Sequence, residues 1–575
     1  MNDALPATVD RATFQAELDR LRVREKAHTR EGDAIAAARR RLPMVEVDAD
    51  LALIGPHGQL TLLEAFEGRR QLIAYTFMWH AGHSAAEQCE GLYLGDHPLA
   101  GTRCPHEDWG TMRRSWVGLG LLGLSAIGLV AGCASTQPAP EGMKRRSPQA
   151  LAGAAELAWT EPVEVARGPA RQGPWRMNDS QFHYVDDATV AIDDGGRIAV
   201  GWADQERQDI FLQVYDPAGE AMLEAPVNVS RSRGVFSWLP RVAIPSGDPS
   251  RVYVVWQEIV FSGGSHGGEI FFARSTDGGH SFDTPVNLSD TIAGDGKGRL
   301  SARSWHNGSL DLVLSAGGEI HVAWTEYEGA LWYRRSTDGG QIFAEPTHVA
   351  GDGTVPARGP SLAVGGDEVV HLAWTVGEDP AADVRLVTST DGGITFGSPT
   401  VVGGSDGHAD APKLAVDGEG TVHLVYAEAD RGSGGRYHIQ YTRRFSGNDA
   451  FEAPRVISRT DANGVDAVGF PSLSVDGASN LYVVWERFPT RRGRPLGLGF
   501  AHSDDGGRTF GWHAVVPGTA DGELGFNGSL QGLLMRKLAV AENGAIAVVN
   551  SSFREGEVSL VRLIRGRVER AASPE

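Results

Sequence analysis

Cysteine is scarce: three residues in 575 cannot form the dense disulfide framework of a small secreted scaffold. Cationic residues are also short, with 53 Lys and Arg against 73 Asp and Glu, a formal net charge of −20. That balance excludes a broad nucleic-acid-binding face, because neutralising phosphates requires clustered Lys and Arg. No G-X-Y period runs through the 74 glycines, so the chain is not collagenous. Aromatic residues are not lacking: 14 Trp, 20 Phe and 11 Tyr, within a 41% hydrophobic composition, supply a core and argue against wholesale disorder. What is abundant is glycine, well above the usual share of about 7%, together with 29 prolines. The composition is that of an acidic, turn-rich β protein. Its length allows about four domains of roughly 150 residues, although β-rich domains run longer as single units.

One hydrophobic run interrupts this composition. Met112-Arg-Arg-Ser-Trp116 is followed by an apolar stretch from Val117 to Val130 and then by Ala131-Gly132-Cys133. A basic start, a short apolar run and a small-residue box form a secretory signal; a comfortable membrane span needs about 20 residues. The V-A-G-C ending resembles the bacterial lipoprotein signal, which implies lipidation of Cys133. Ala134 at the next position implies the outer membrane as the destination. Residues 134–155 are polar and Pro-rich, as a tether should be. The alternative is a signal anchor or a buried helix.

Residues 1–111 read as a separate piece. Helical periodicity runs from Ala12 to Arg41, and strand-like runs follow at Val45–Ile54 and Gln71–Phe77. The stretch from Arg40 to Gly91 resembles the DUF899 family, thioredoxin-like proteins of unknown function, and the resemblance stops near Gly91. Half of such a sheet could not bury its faces, so we expect a truncated α/β fragment joined to a lipoprotein that starts at Met112. Cys89 has no C-x-x-C partner, which leaves dithiol chemistry unsupported. His80, His83, Cys89, Cys104 and His106 match no standard zinc ligand spacing. No metal or cofactor is expected, and the acidic loops at Asp204 and Glu378 read as ordinary turns.

From residue 156 the chain repeats. Four windows follow S-x-D-G-G-x-x-F: Ser275–Phe282, Ser336–Phe343, Ser389–Phe396 and Ser503–Phe510, with degenerate copies at Tyr215–Leu223 and Arg444–Phe451. The Asp can accept backbone N–H groups of its own turn, and the Gly pair supplies positive-φ positions for a tight hairpin. These windows resemble the Asp-box, or BNR, repeats of sialidases and other β-propellers. Asp277, Asp338, Asp391 and Asp505 are therefore expected to be structural, on turns away from the ligand face. A strand, turn and second strand recur seven times, ending at Trp202, Trp256, Trp324, Trp374, Tyr426, Trp485 and Asn550. The seventh unit has no fourth strand of its own, and Ala158–Ala166 reads as the missing one. The expected fold is all-β: a propeller of seven four-stranded blades over residues 156–566, closed by that N-terminal strand, with six blades as the alternative and 567–575 as a tail.

Loops on the expected ligand face carry His183, Tyr184, Trp238, Trp305, His306, His408, Asp410 and Lys413, a mixture suited to a carbohydrate or a protein or peptide ligand. An acid recurs two residues after the second-strand aromatic (Asp204, Glu258, Glu326, Glu428), and its repetition points to bonding with loop backbone rather than to chemistry. Sialidase activity, as the resemblance implies, needs three arginines on a substrate carboxylate and a Tyr–Glu pair. Arg241, Arg358 and Arg536 begin first strands and are the candidates for the first role; Glu326 and Tyr327 are the only adjacent acid and tyrosine on that face. The family's early Arg-Ile-Pro motif is missing. Three readings compete: a lipid-anchored, non-catalytic binding propeller of the cell envelope, a sialidase-like glycoside hydrolase, and a thioredoxin-like protein acting through residues 1–91.

Overall fold

The computed structural model describes Ala52–Gly55 and Gly58–Thr61, which pair as a short antiparallel hairpin, and residues 156–569 except 174–180, 233, 259–267, 290–308, 327–328, 353–354, 377–381, 403–406, 434–436, 460–463, 491–492 and 531–534. The expected signal segment with Cys133 and its tether, the segment of helical periodicity from Ala12 to Arg41, Cys89 and its neighbouring histidines, Trp305, His306 and Tyr327 lie outside the described residues.

Seven antiparallel sheets form a seven-bladed β-propeller. Blade 1 opens with Val185–Ile192, blade 2 with Ser237–Ala243, blade 3 with Leu310–Leu314 and blade 4 with Ala357–Val364. Blades 5, 6 and 7 open with His408–Val416, Ala467–Val475 and Leu538–Val540. These seven first strands all line a cavity of about 280 Å³, through Val190, Val242, Val313, Leu362, Leu414, Leu473 and Leu538. The first strands are therefore innermost, and the cavity marks the axis.

Each core lies between blades. In the second strand of blade 2, Val252–Glu258, every residue is buried. Val252, Val254 and Trp256 pack with Ala199 and Leu212 of blade 1, while Tyr253 and Val255 pack with Leu312 and Val322 of blade 3. Alternate side chains of an extended strand point to opposite faces. A strand sandwiched between two blades must therefore be apolar on both parities, which explains runs such as VYVVW.

The S-x-D-G-G-x-x-F turns connect third to fourth strands and also join blades. In the turn of blade 4, the Ser389 hydroxyl donates to Asp391 (2.6 Å) and accepts the Gly393 N–H (2.8 Å). Asp391 also accepts the Ile394 and Thr395 N–H groups and the Thr395 hydroxyl. The Ser389 and Thr395 hydroxyls, with these N–H groups, hold the Asp391 carboxyl well below the usual carboxylate range. Ser275–Asp277, Ser336–Asp338 and Ser503–Asp505 repeat the arrangement. The phenylalanine does not stay in its own blade. Phe343, Phe396 and Phe510 each meet an aromatic ring on the third strand of the preceding blade (Phe272, Tyr333 and Tyr441) edge-on at 4.9 Å. Gly393 sits against the same ring, with φ 85° and no room for a Cβ, which would collide with the Tyr333 hydroxyl oxygen.

The ring closes through the N-terminal segment, as two strands where the sequence suggested one. Glu156–Trp159 pairs with the end of Val558–Glu569, and Val163–Gly168 pairs with its start. The first carries Trp159 to Phe500 of blade 6, the contact the box phenylalanines make elsewhere.

Candidate functional site

The innermost strands carry a repeated irregularity. In blades 1, 2, 4, 5 and 6 the pairing register slips near the strand's start. One residue there has left-handed φ: Asp187 (54°), Leu239 (54°), Gly359 (58°), Ala411 (56°) and Phe470 (54°). In four of the five the next residue is proline (Pro240, Pro360, Pro412, Pro471). Proline cannot donate to a ladder and is at home on a bulge. The bulge ends at a polar residue followed by an apolar one, and the same position in each blade gives Thr189, Arg241, Asp311, Ser361, Lys413, Ser472 and Lys537. These residues form a polar ring at one mouth of the axial cavity. Six are buried, and Lys413, half-buried, lines the cavity with Ser361, Ser472 and Arg536.

Members of the ring stitch neighbouring blades. The Leu362 N–H donates to Asp311 (2.8 Å), the Leu414 N–H to Ser361 (3.0 Å) and the Lys537 N–H to Ser472 (3.1 Å). Charge is paired across the axis as well. Arg536 donates to Asp311 Oδ1 at 2.7 Å, and Arg241 Nε lies 3.7 Å from the same oxygen. Burial lowers the Arg241 guanidinium to about 10, with Asp311 opposing the shift. Arg358 Nη2 stands 3.4 Å from Asp410 and 3.3 Å from His408 Nε2, and the Thr375 hydroxyl donates to Asp410. Lys537 is paired with the buried Glu486. Asp186 and Asp187, fully buried, take the Leu530 N–H and the Ser529 hydroxyl; burial raises both carboxyls, and Asp186 adds to the rise at Asp187.

Lys413 differs from these. Its ammonium has no hydrogen bond or ion pair among the described residues. Enclosure by the ring lowers that ammonium to about 8, and the like charges of Arg241 and Arg536 act in the same direction. Lysine is rare in this chain: Lys26, Lys144, Lys297, Lys413 and Lys537 are all there are. Two of the five stand in the axial ring.

The residues expected from sequence separate into groups. Arg241, Arg536 and Lys413 meet at the axis, and Arg358, Asp410 and His408 form a neighbouring cluster. Tyr184 is buried against Phe553 at 5.0 Å, and burial pushes its hydroxyl up to about 12. Trp238 is buried against Phe236 at 5.6 Å. Both rings fill cores and offer no ligand surface. His183 Nδ1 lies 3.3 Å from Glu206 and from Arg171 at the rim. Glu326 opens a tight turn, its N–H bonded to Ala330 O and its C=O to the Gly329 N–H. Of the recurring acids, Asp204 does accept loop N–H groups (Glu206, Arg207). Glu258 takes the Trp256 indole N–H and the Ser232 hydroxyl, and Glu428 takes the Gln440 amide. Asp311, Lys537, Asp186 and Asp187 are absent from the residues that sequence reasoning singles out. Aligning the seven first strands on their apolar Φ-x-Φ pattern finds Asp311 and Lys537, because each immediately precedes it.

Residues 3–97 match the family model described as "Bacterial protein of unknown function (DUF899)". No curated protein matches the chain. Solved structures similar to it include an ulvan lyase of a new polysaccharide lyase family, at TM-score 0.41 and 11% identity over 70% of this chain and 95% of that one. A Hadza microbial sialidase gives TM-score 0.38 and 14% identity, covering 61% of this chain and 73% of its own. A Penicillium chrysogenum α-L-arabinanase complexed with arabinobiose gives 0.38 and 13%, covering 60% and 99%.

Proposed function

We propose that the propeller is a non-catalytic binding module whose axial mouth takes the anionic group of a polar ligand, carbohydrate or peptide, at Lys413. The observation that carries this reading is the difference between Lys413 and its neighbours. Arg241 and Arg536 are engaged by Asp311, and Arg358 by Asp410, whereas Lys413 lines the cavity and its ammonium has no hydrogen-bond or ion-pair partner among the described residues. A charge-assisted contact to such an amine, inside a ring that excludes part of the solvent, is stronger than the same contact at an open surface.

The same pairing weighs against the sialidase-like alternative. Three arginines that clamp a substrate carboxylate must be available to it, and here protein carboxylates already occupy them. The test is incubation of the full chain with a fluorogenic sialoside, with Arg241→Ala as the control. We expect no turnover from either protein; turnover abolished by the substitution would establish the hydrolase.

Two further parts of the proposal rest on sequence. The serine-to-aspartate turns are Asp boxes of the BNR type, which their bonding pattern supports. The Met112–Cys133 segment is a lipoprotein signal that anchors the propeller through Cys133 to the bacterial cell envelope, at the outer membrane.

A further inference from the structure

The turn between the first two strands of blade 4 approaches blade 3. There Glu319, His321 and Glu368 bring one ligand atom each within 4.8 Å of one another. His321 is completely buried. Its Nδ1 lies 2.6 Å from the Tyr333 hydroxyl, while its Nε2 has no hydrogen-bond partner and is 3.9 Å from Glu319. Glu368 is similarly half-committed: one oxygen accepts the Gly317 N–H at 3.1 Å, and the other is buried without a partner.

Blade 5 contains the same histidine in the same place and serves as an internal comparison. His423 Nδ1 lies 2.9 Å from the Tyr441 hydroxyl, and its Nε2 is 3.2 Å from Asp417, which sits in the turn of its own blade. The corresponding residue of blade 3 is Ser315, which accepts the Glu319 N–H instead. Asp417 thus gives the His423 Nε2–H an acceptor. His321 has no acceptor within hydrogen-bond distance of Nε2. With Nδ1–H donated to Tyr333, the Nε2 lone pair points toward two carboxylates.

A lone pair and two carboxylate oxygens converging on one point repel one another unless something positive sits between them. Arg335 does not fill that place: it is 3.7 Å from Glu319 but donates to the Gly392 C=O at 2.9 Å. We propose that Glu319, His321 and Glu368 bind a divalent transition cation of the Zn²⁺ type, which ties the blade 4 turn to blade 3. The imidazole selects for that class over Ca²⁺ and Mg²⁺, which prefer all-oxygen sites. Three protein ligands leave a fourth position for water. Tyr333 is the outer partner that orients the imidazole.

The test counts metal. Full-length protein stripped with chelator is equilibrated with Zn²⁺, freed of unbound ion and assayed for bound zinc, in parallel with Glu319→Gln, Glu368→Gln and His423→Gln. The histidines and cysteines of residues 1–111 contribute equally to all four proteins. We expect the two glutamate variants to carry one equivalent fewer than the wild type or to bind it at least about tenfold more weakly. His423→Gln should match the wild type, and Zn²⁺ should raise the melting temperature of the wild type but not of Glu368→Gln. Equal zinc content in the wild type and both glutamate variants would overturn the proposal and leave an internal water as the partner of Nε2.

Discussion

The indole of Trp159 meets the ring of Phe500 edge-on, with centroids 5.5 Å apart. It stands where Phe343, Phe396 and Phe510 stand in other blades, yet it arrives from the opposite end of the chain. The indole also lies over Gly566, where a Cβ would come within 2.5 Å of it. Ring closure thus repeats the inter-blade contact of the box turns without a box. Trp159→Ala should destabilise the propeller by about 2–3 kcal/mol, less than for a fully buried tryptophan because this one is half-buried. Chemical denaturation followed by far-ultraviolet circular dichroism measures it.

Gly393 and Gly418 make a matched pair of glycine substitutions. Gly393→Ala places a Cβ on the Tyr333 hydroxyl at a positive φ and should cost more than about 2 kcal/mol. At Gly418 a methyl group would meet nothing within 4 Å, and Gly418→Ala should change stability by less than about 1 kcal/mol. Thermal melts of the two variants decide whether the box glycine is required by its contact and positive φ together.

The two lysines of the ring should respond oppositely. Lys537→Ala leaves Glu486 buried without its cation and should cost about 3–5 kcal/mol. Lys413→Gln removes an unpaired charge and should be neutral or stabilising at pH 7. The folded Lys413 releases its proton near 8, whereas the unfolded lysine holds it to about 10.5. Between those values the unfolded state binds more protons, so the wild type gains stability relative to Lys413→Gln as pH rises from about 8 to 10.5. Denaturation midpoints of both proteins across that range test the sign.

Binding should show the converse dependence. An anionic group is held by the charged amine, so affinity is constant below about pH 7 and falls as pH rises through 8. Titrations at about one and a half pH units on either side of that value read the difference.

The fold is legible in the sequence because its signals repeat. Seven strand pairs, six of them ending in an aromatic, and a terminal strand without a box state the blade count and the closure. The bulge that aims the ring residues is less visible: Leu239-Pro240 and Phe470-Pro471 read as ordinary apolar and turn residues until the register slip is seen. The site is legible by residue type and not by partner. Arg241, Arg358, Arg536 and Lys413 all stand out, but a sequence does not show that Asp311, far along the chain from Arg358's partner Asp410, neutralises two of them. Tyr184 and Trp238 mislead for a related reason: loop position suggests exposure, and packing against Phe553 and Phe236 removes it.

The most direct measurement is equilibrium binding of a panel of sialylated, uronate-bearing, sulfated and neutral oligosaccharides and acidic peptides to the full chain and to Lys413→Gln. The account predicts that anionic members bind without being cleaved and that Lys413→Gln weakens them at least about tenfold, the loss of one charge-assisted contact. Anionic ligands that bind both proteins equally, or that are released as shorter products, would contradict it.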